Sequence, residues 1–136
     1  TVKDILAKHS DNVALAYVHF PLAFHRNAMA AAHAVECVAA VSPDAIGPFV
    51  DTTLGQQHLI GLRPWDSIAA DIGLTDGIAF DRCIADPVAA RRIADGVEFG
   101  KYMGVDATPS VMVNGWIYRG LPRYRVLDSL ITSLLQ

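Results

Sequence analysis

Charge is scarce in this chain: only 18% of its 136 residues are Asp, Glu, Lys or Arg. The 11 basic and 14 acidic residues are dispersed, leaving a formal net charge of -3. Without a broad electropositive face there is nothing to track a phosphate backbone, and nucleic acid is excluded as a partner. The only basic groupings are Arg91 with Arg92, and Arg119, Arg123 and Arg125. Long apolar runs are missing too. Ala28–Ala40 is the longest low-charge stretch, yet His33 and Glu36 interrupt it, and it falls short of the roughly 18 apolar residues that span a bilayer. Residues 1–20 lack the basic region, apolar run and small-residue cleavage site of a secretory signal. Cysteine is limited to Cys37 and Cys83, so the chain has no Cys-x-x-Cys pair. A Gly-rich phosphate loop, a nucleophile elbow and a paired-carboxylate signature are all absent.

What remains is a chain that is 52% apolar, long enough for one domain with a modest core and too hydrophobic for disorder. Asp4–His9 reads as the last turns of a helix, with a polar turn at Ser10–Asn12. The chain thus opens in what reads as mid-helix, and its amino end is expected to be a cut or unseen boundary. Val13–His19, rich in sheet formers, is expected to be a strand ended by Pro21, which has no amide to continue a ladder. From Asn27 to Ala40 nearly every residue favours helix. Ser42 and Pro43 break it. Residues 44–85 then read as short helices over Phe49–Leu59, Pro64–Ala70 and Ile78–Ile84, with Gly61, Gly73 and Gly77 as punctuation.

Asp86 before Pro87 marks a helix start, with a short acceptor at the cap and proline where its missing amide is harmless. Ala89, Ile93 and Val97 give that helix an inward stripe, and it should end near Gly104. Ser110–Asn114, Gly115 and Trp116–Arg119 form a hairpin pattern around an Asn-Gly turn. The last helix, Tyr124–Leu135, places Leu127, Leu130, Ile131 and Leu134 on one face. Strand, helical region, long helix, hairpin and terminal helix describe an α/β chain whose end helices can cover a sheet.

Tyr17-Val18-His19-Phe20-Pro21-Leu22, then Phe24-His25, Ala34–Cys37, Phe80–Cys83, and Gly104-Val105 leading through Thr108-Pro109 to Val113-Asn114-Gly115 follow one another in order. With this set the chain resembles the DsbA-like branch of the thioredoxin fold over nearly its whole length. The resemblance implies a thioredoxin-like part at 1–24 and 101–136 and a helical insertion at 25–100, N-terminally incomplete. Members carry a Cys-x-x-Cys at the start of the helix whose tail here is Thr1–His9, and neither Cys37 nor Cys83 occupies that position. The resemblance also implies a strand between those matching Val13–His19 and Val111–Asn114. Unfilled rows of amides and carbonyls need partners, so that strand is expected as another segment, a strand-swapped partner chain, or an edge rearrangement.

The implied activity is thiol–disulfide exchange with an extended polypeptide or protein thiol substrate, a possible redox partner protein, and no cofactor. Without the upstream pair, this stretch should bind but not turn over. Thr108 and Pro109 are the implied site residues, with a cis peptide between them facing the reactive thiols; proline is the residue for which cis costs least. By resemblance the compartment is the bacterial periplasm or another extracytoplasmic space. The alternatives are a relative of the kappa-type glutathione transferases and a redox-inactive peptide-binding module.

For Cys37 and Cys83 two readings stand open: a structural disulfide, which persists in an oxidising compartment, or two buried small residues that never meet. His33 and Cys37 share a helical face, but an alanine-rich context favours packing over metal. His19 and His25 flank Pro21 and are expected to hydrogen-bond locally. Trp65, Phe49 and Phe80 read as core anchors; Trp116, Tyr118 and Tyr124 read as packing or as an apolar rim near Pro109.

Overall fold

A computed structural model describes residues 1–136. In chain order its elements are α1 (Val2–Lys8), α2 (Ala28–Val41), α3 (Ile46–Gly55), α4 (Trp65–Asp71), α5 (Gly77–Ile84), α6 (Pro87–Tyr102), β1 (Ser110–Val113), β2 (Trp116–Arg119) and α7 (Tyr124–Leu134), with short 3-10 turns at Pro43–Ala45 and Gln57–Leu59. Two compact units emerge, Thr1–Val18 with Gly100–Gln136, and His19–Phe99.

In the first unit, β1 and β2 pair antiparallel, Ser110 opposite Arg119 and Val113 opposite Trp116. Asn114 and Gly115 turn the chain with φ of 44° and 91°, the doubly left-handed geometry that matches strand twist in a two-residue hairpin. Ile5, Leu127 and Ile131 form the core, with Val13, Val111, Val113 and Tyr124 against it. Leu127 and Ile131 come from the stripe of α7, whereas Leu134 on the same face is 43% exposed.

An ionic clamp joins the two helices. Lys8 Nζ donates to Asp128 Oδ2 at 2.7 Å, and His9 Nε2 lies 2.8 Å from Asp128 Oδ1. The Lys8 hydrogen bond, and then the His9 one, hold the Asp128 carboxyl below its ordinary range. A depressed carboxylate contributes stability above the unfolded value of about 4, and loses it as pH falls through the folded value. Asp128→Asn is therefore expected to lower the urea midpoint at pH 6 and to converge with the parent near pH 3. A difference that stays constant with pH would show that the clamp's charge contributes nothing.

One expected element is absent. Val13–Phe20 runs without helix or ladder, and Ala14, Leu15, Ala16 and Val18 make no backbone–backbone hydrogen bond. The expectation of a strand over Val13–His19 is thus corrected: the segment joins no ladder. Its residues suit a pleated sheet, but a strand exists only beside another backbone, and none lies there.

The second unit is helical. Ala34, Cys37, Val38, Phe49, Ile68, Ala69, Phe80 and Ala89 make its core, with Trp65, Cys83 and Ile84 among the half-buried residues packed on it. The helix expected from Phe49 begins at Ile46, because Pro48 lies in the first turn, where no amide is required. It stops at Gly55 instead of Leu59. Arg63 holds the following connection: its guanidinium donates to Gln56 Oε1 (3.1 Å), Asp71 Oδ2 (2.8 Å) and Ser67 Oγ (2.7 Å). Asn27 Nδ2 donates to the Ile60 carbonyl at 2.9 Å. Gly61 is required beside it, since its φ is 84° and a Cβ there would fall 2.6 Å from Asn27 Nδ2.

Candidate functional site

The Thr108–Pro109 loop is set by the way α6 ends. Gly104 adopts a φ of 74°; its amide donates to Lys101 O and that of Val105 to Gly100 O. These two bonds make a Schellman cap, which satisfies the last carbonyls and reverses the chain. Asp106 then pairs with Arg119 of β2, and Ser110 Oγ donates to Ala107 O at 2.7 Å. The Thr108–Pro109 peptide is cis. Both residues are exposed, and the Pro109 carbonyl accepts from the Gly120 amide at 2.8 Å.

That last bond fixes the orientation of β1. In an antiparallel ladder hydrogen-bonded positions alternate, so the Pro109 carbonyl and the amide and carbonyl groups of Val111 and Val113 turn toward β2. Ser110 and Met112 direct theirs to the opposite edge. No strand occupies that edge, since the sheet consists of β1 and β2 alone. A pocket of about 230 Å³ is lined by residues of β1 and its neighbours, among them Ile5, Leu6, Val13–Leu15, Val111–Asn114 and Leu127.

Cys37 and Cys83 are joined by a disulfide, with Cα atoms 5.4 Å apart. The bond links α2 to α5 within the second unit and leaves no free cysteine. Cys37 is wholly enclosed. Its sulfur is therefore not a metal ligand alongside His33, and no group of three or more His, Cys, Asp or Glu side chains is placed to hold a metal.

His19 Nε2 lies 3.0 Å from Glu36 Oε1, and Arg92 reaches the other carboxylate oxygen at 3.4 Å. Burial pushes the His19 imidazole below its ordinary value, against the opposing pull of Glu36. A base with a depressed folded value contributes stability above its unfolded pKa of about 6.5 and loses it as pH falls toward the folded value. His19→Gln, which keeps a donor for Glu36 without titrating, should hold its thermal midpoint between pH 7 and pH 5 better than the parent does. Equal slopes would remove His19 as the titrating group. His25 instead lies against Phe24, ring centroids 4.4 Å apart and planes tilted by 49°.

Of the aromatic candidates, Phe49 and Phe80 are core residues and Trp65 packs on them. Tyr124 joins the packing of Ile5, Leu127 and Ile131, and Trp116 is 63% exposed. The Arg63 network and the Lys8–His9–Asp128 clamp had no signal in sequence spacing, because their members meet only through tertiary packing.

A family model described as Thioredoxin matches residues 1–133. The chain belongs to the thioredoxin family. Its α/β fold combines a small two-stranded sheet with many helices, and membership supports a redox role as an oxidoreductase of the thioredoxin-like kind. No curated protein and no solved structure matches it significantly. No helix of the chain is long and apolar enough to cross a membrane.

Proposed function

We propose that this thioredoxin-family chain is a DsbA-like thiol–disulfide oxidoreductase in which the Thr108–Pro109 loop faces the exchanging sulfurs. The supporting observation is the arrangement of that loop: exposed Thr108 and Pro109 lead into β1 and are anchored by the Gly120 amide and the Asp106–Arg119 pair. In the reaction a thiolate attacks one sulfur of a substrate disulfide. A mixed disulfide forms, and the other substrate sulfur leaves as a thiolate that takes up a proton. The two cysteines of this chain are bonded to each other and Cys37 is enclosed, so the attacking thiolate in this reading belongs to a residue outside Thr1–Gln136. The disulfide agrees with an extracytoplasmic compartment such as the periplasm, where such bonds persist.

The test is insulin-disulfide reduction, run with the chain Thr1–Gln136 and with the protein at its native length from its source cell. Turnover by the native-length protein, with none by the chain alone, is the expected result. Turnover that depends on Cys37 and Cys83, or none at native length, would overturn the proposal. In the latter case the open edge of β1 favours a second reading, a redox-inactive module that binds extended polypeptide.

A further inference from the structure

The turn between β1 and β2 holds one asparagine in a setting that the other asparagines do not share. An asparagine side-chain amide is open to attack by the backbone nitrogen of the next residue, so the state of that nitrogen decides where the reaction can start. The chain contains Asn12-Val13, Asn27-Ala28 and Asn114-Gly115. The Val13 amide donates to His9 O and the Ala28 amide to His25 O, each at 3.0 Å. Both nitrogens are therefore engaged, and Asn27 is held further by its own Nδ2, which donates to the Ile60 carbonyl. Gly115 differs. The ladder closes at the pair Val113 and Trp116, and the Gly115 amide inside the turn makes no hydrogen bond. Asn114 and Gly115 are both exposed. Glycine has no Cβ to screen its nitrogen, whereas Val13 is branched there.

We propose that Asn114 is a modification site, at which the hairpin turn converts spontaneously to isoaspartate. The Gly115 nitrogen, after losing its proton to hydroxide, bonds to Asn114 Cγ; the Cγ–Nδ2 bond breaks and ammonia leaves, taking a proton from water. A five-membered succinimide results. Water opens it at either carbonyl: attack at Cγ gives aspartate, and attack at the main-chain carbonyl gives isoaspartate, in which Gly115 is joined through Cβ and Cγ. The net change is water taken up and ammonia released, with no oxidant or reductant. Ring closure requires the turn to open locally, and an exposed loop tip is where such opening costs least. The consequence is structural. IsoAspartate adds a backbone carbon to a two-residue turn whose geometry is matched to its length, so the pair Val113 and Trp116 is the first to loosen. Val113 packs against Ile5, Leu127 and Ile131, which carries the change into the core of the first unit. The inference stands independently of thiol exchange, since it involves no sulfur.

The experiment ages the folded chain at mildly alkaline pH, digests it in acid, where ring closure is suppressed, and maps the peptides by mass. Amide-to-acid conversion at Asn114 at least roughly tenfold faster than at Asn12 or Asn27 is expected, and methylation by a protein isoaspartyl methyltransferase should mark the isoaspartyl fraction. Amide exchange at Val113 should be at least roughly tenfold faster in the aged chain than in the fresh one. Asn114→Gly keeps a turn of the same type and should show neither the methylation nor the loss of Val113 protection. Should that variant fail to fold, the comparison of the three asparagines in the parent decides alone. The proposal is overturned if Asn114 keeps its amide in the folded chain while the urea-unfolded chain loses it, because the closed hairpin then protects the site. It is also overturned if aged Asn114→Gly loosens at Val113 as much as the parent. Insulin turnover is read in none of these measurements.

Discussion

Replacing Cys37 and Cys83 together with alanine is expected to lower the free energy of unfolding by about 4 kcal/mol. The bond closes a loop between residues 46 apart. Constraining a chain of that length removes denatured-state entropy worth about 4 kcal/mol in the loop-closure description. For a domain whose whole stability is on the order of 5–15 kcal/mol, that is a substantial share. Alanine is the informative replacement: Cys37 has no exposed surface, and serine would bury a hydroxyl among Ala34, Val38 and Phe49, adding a desolvation cost unrelated to the cross-link. Urea unfolding of the oxidised parent, the parent in dithiothreitol and the double variant gives the check. The last two should agree within about 1 kcal/mol, and both should fall well below the first. If oxidised and reduced forms unfold together, the bond neither constrains the unfolded chain nor holds α2 against α5.

The sequence made some features of this molecule readable because their causes are local. Asp86 accepts from the Val88 amide at 2.8 Å at the start of α6, as a short acceptor before proline predicts. Asn114 and Gly115 take positive φ values, tolerated by the short polar side chain of one and the missing Cβ of the other. The cysteine pairing was different. Sequence left a disulfide and two separate buried thiols equally open, and the choice was made by packing of α2 against α5, which no spacing along the chain encodes. Val13–Val18 is the sharper case. Its residues have the propensity for a sheet, yet strand formation depends on a neighbouring backbone that the segment cannot supply. Arg63 shows the same limit from another side, for Gln56, Ser67 and Asp71 flank it in sequence, but only the turn between α3 and α4 brings them onto one guanidinium. The candidate loop fell between these cases. Thr108 and Pro109 were recognisable, whereas their anchorage through Gly120 and through the Asp106–Arg119 pair required the hairpin to be closed.

Phe49→Ala should cost about 3–5 kcal/mol, the range for truncating a fully enclosed phenylalanine. Phe49 has no exposed surface and shares its core with Cys37, Val38, Ile68 and Phe80. Those neighbours belong to α2, α4 and α5, so the void cannot close by movement of one side chain. Part of the loss comes from Trp65, whose ring centroid is 6.4 Å away at an interplanar angle of 47°, a tilted arrangement within aromatic contact range. Such pairs contribute about 0.5–1.5 kcal/mol beyond area burial. A double-mutant cycle with Trp65→Leu isolates this part: the two single losses should exceed the double loss by about that coupling. Strict additivity would show that Phe49 acts through volume alone. A single-variant loss under about 1 kcal/mol would mean that the helical core collapses around the deletion, which close packing of interiors argues against.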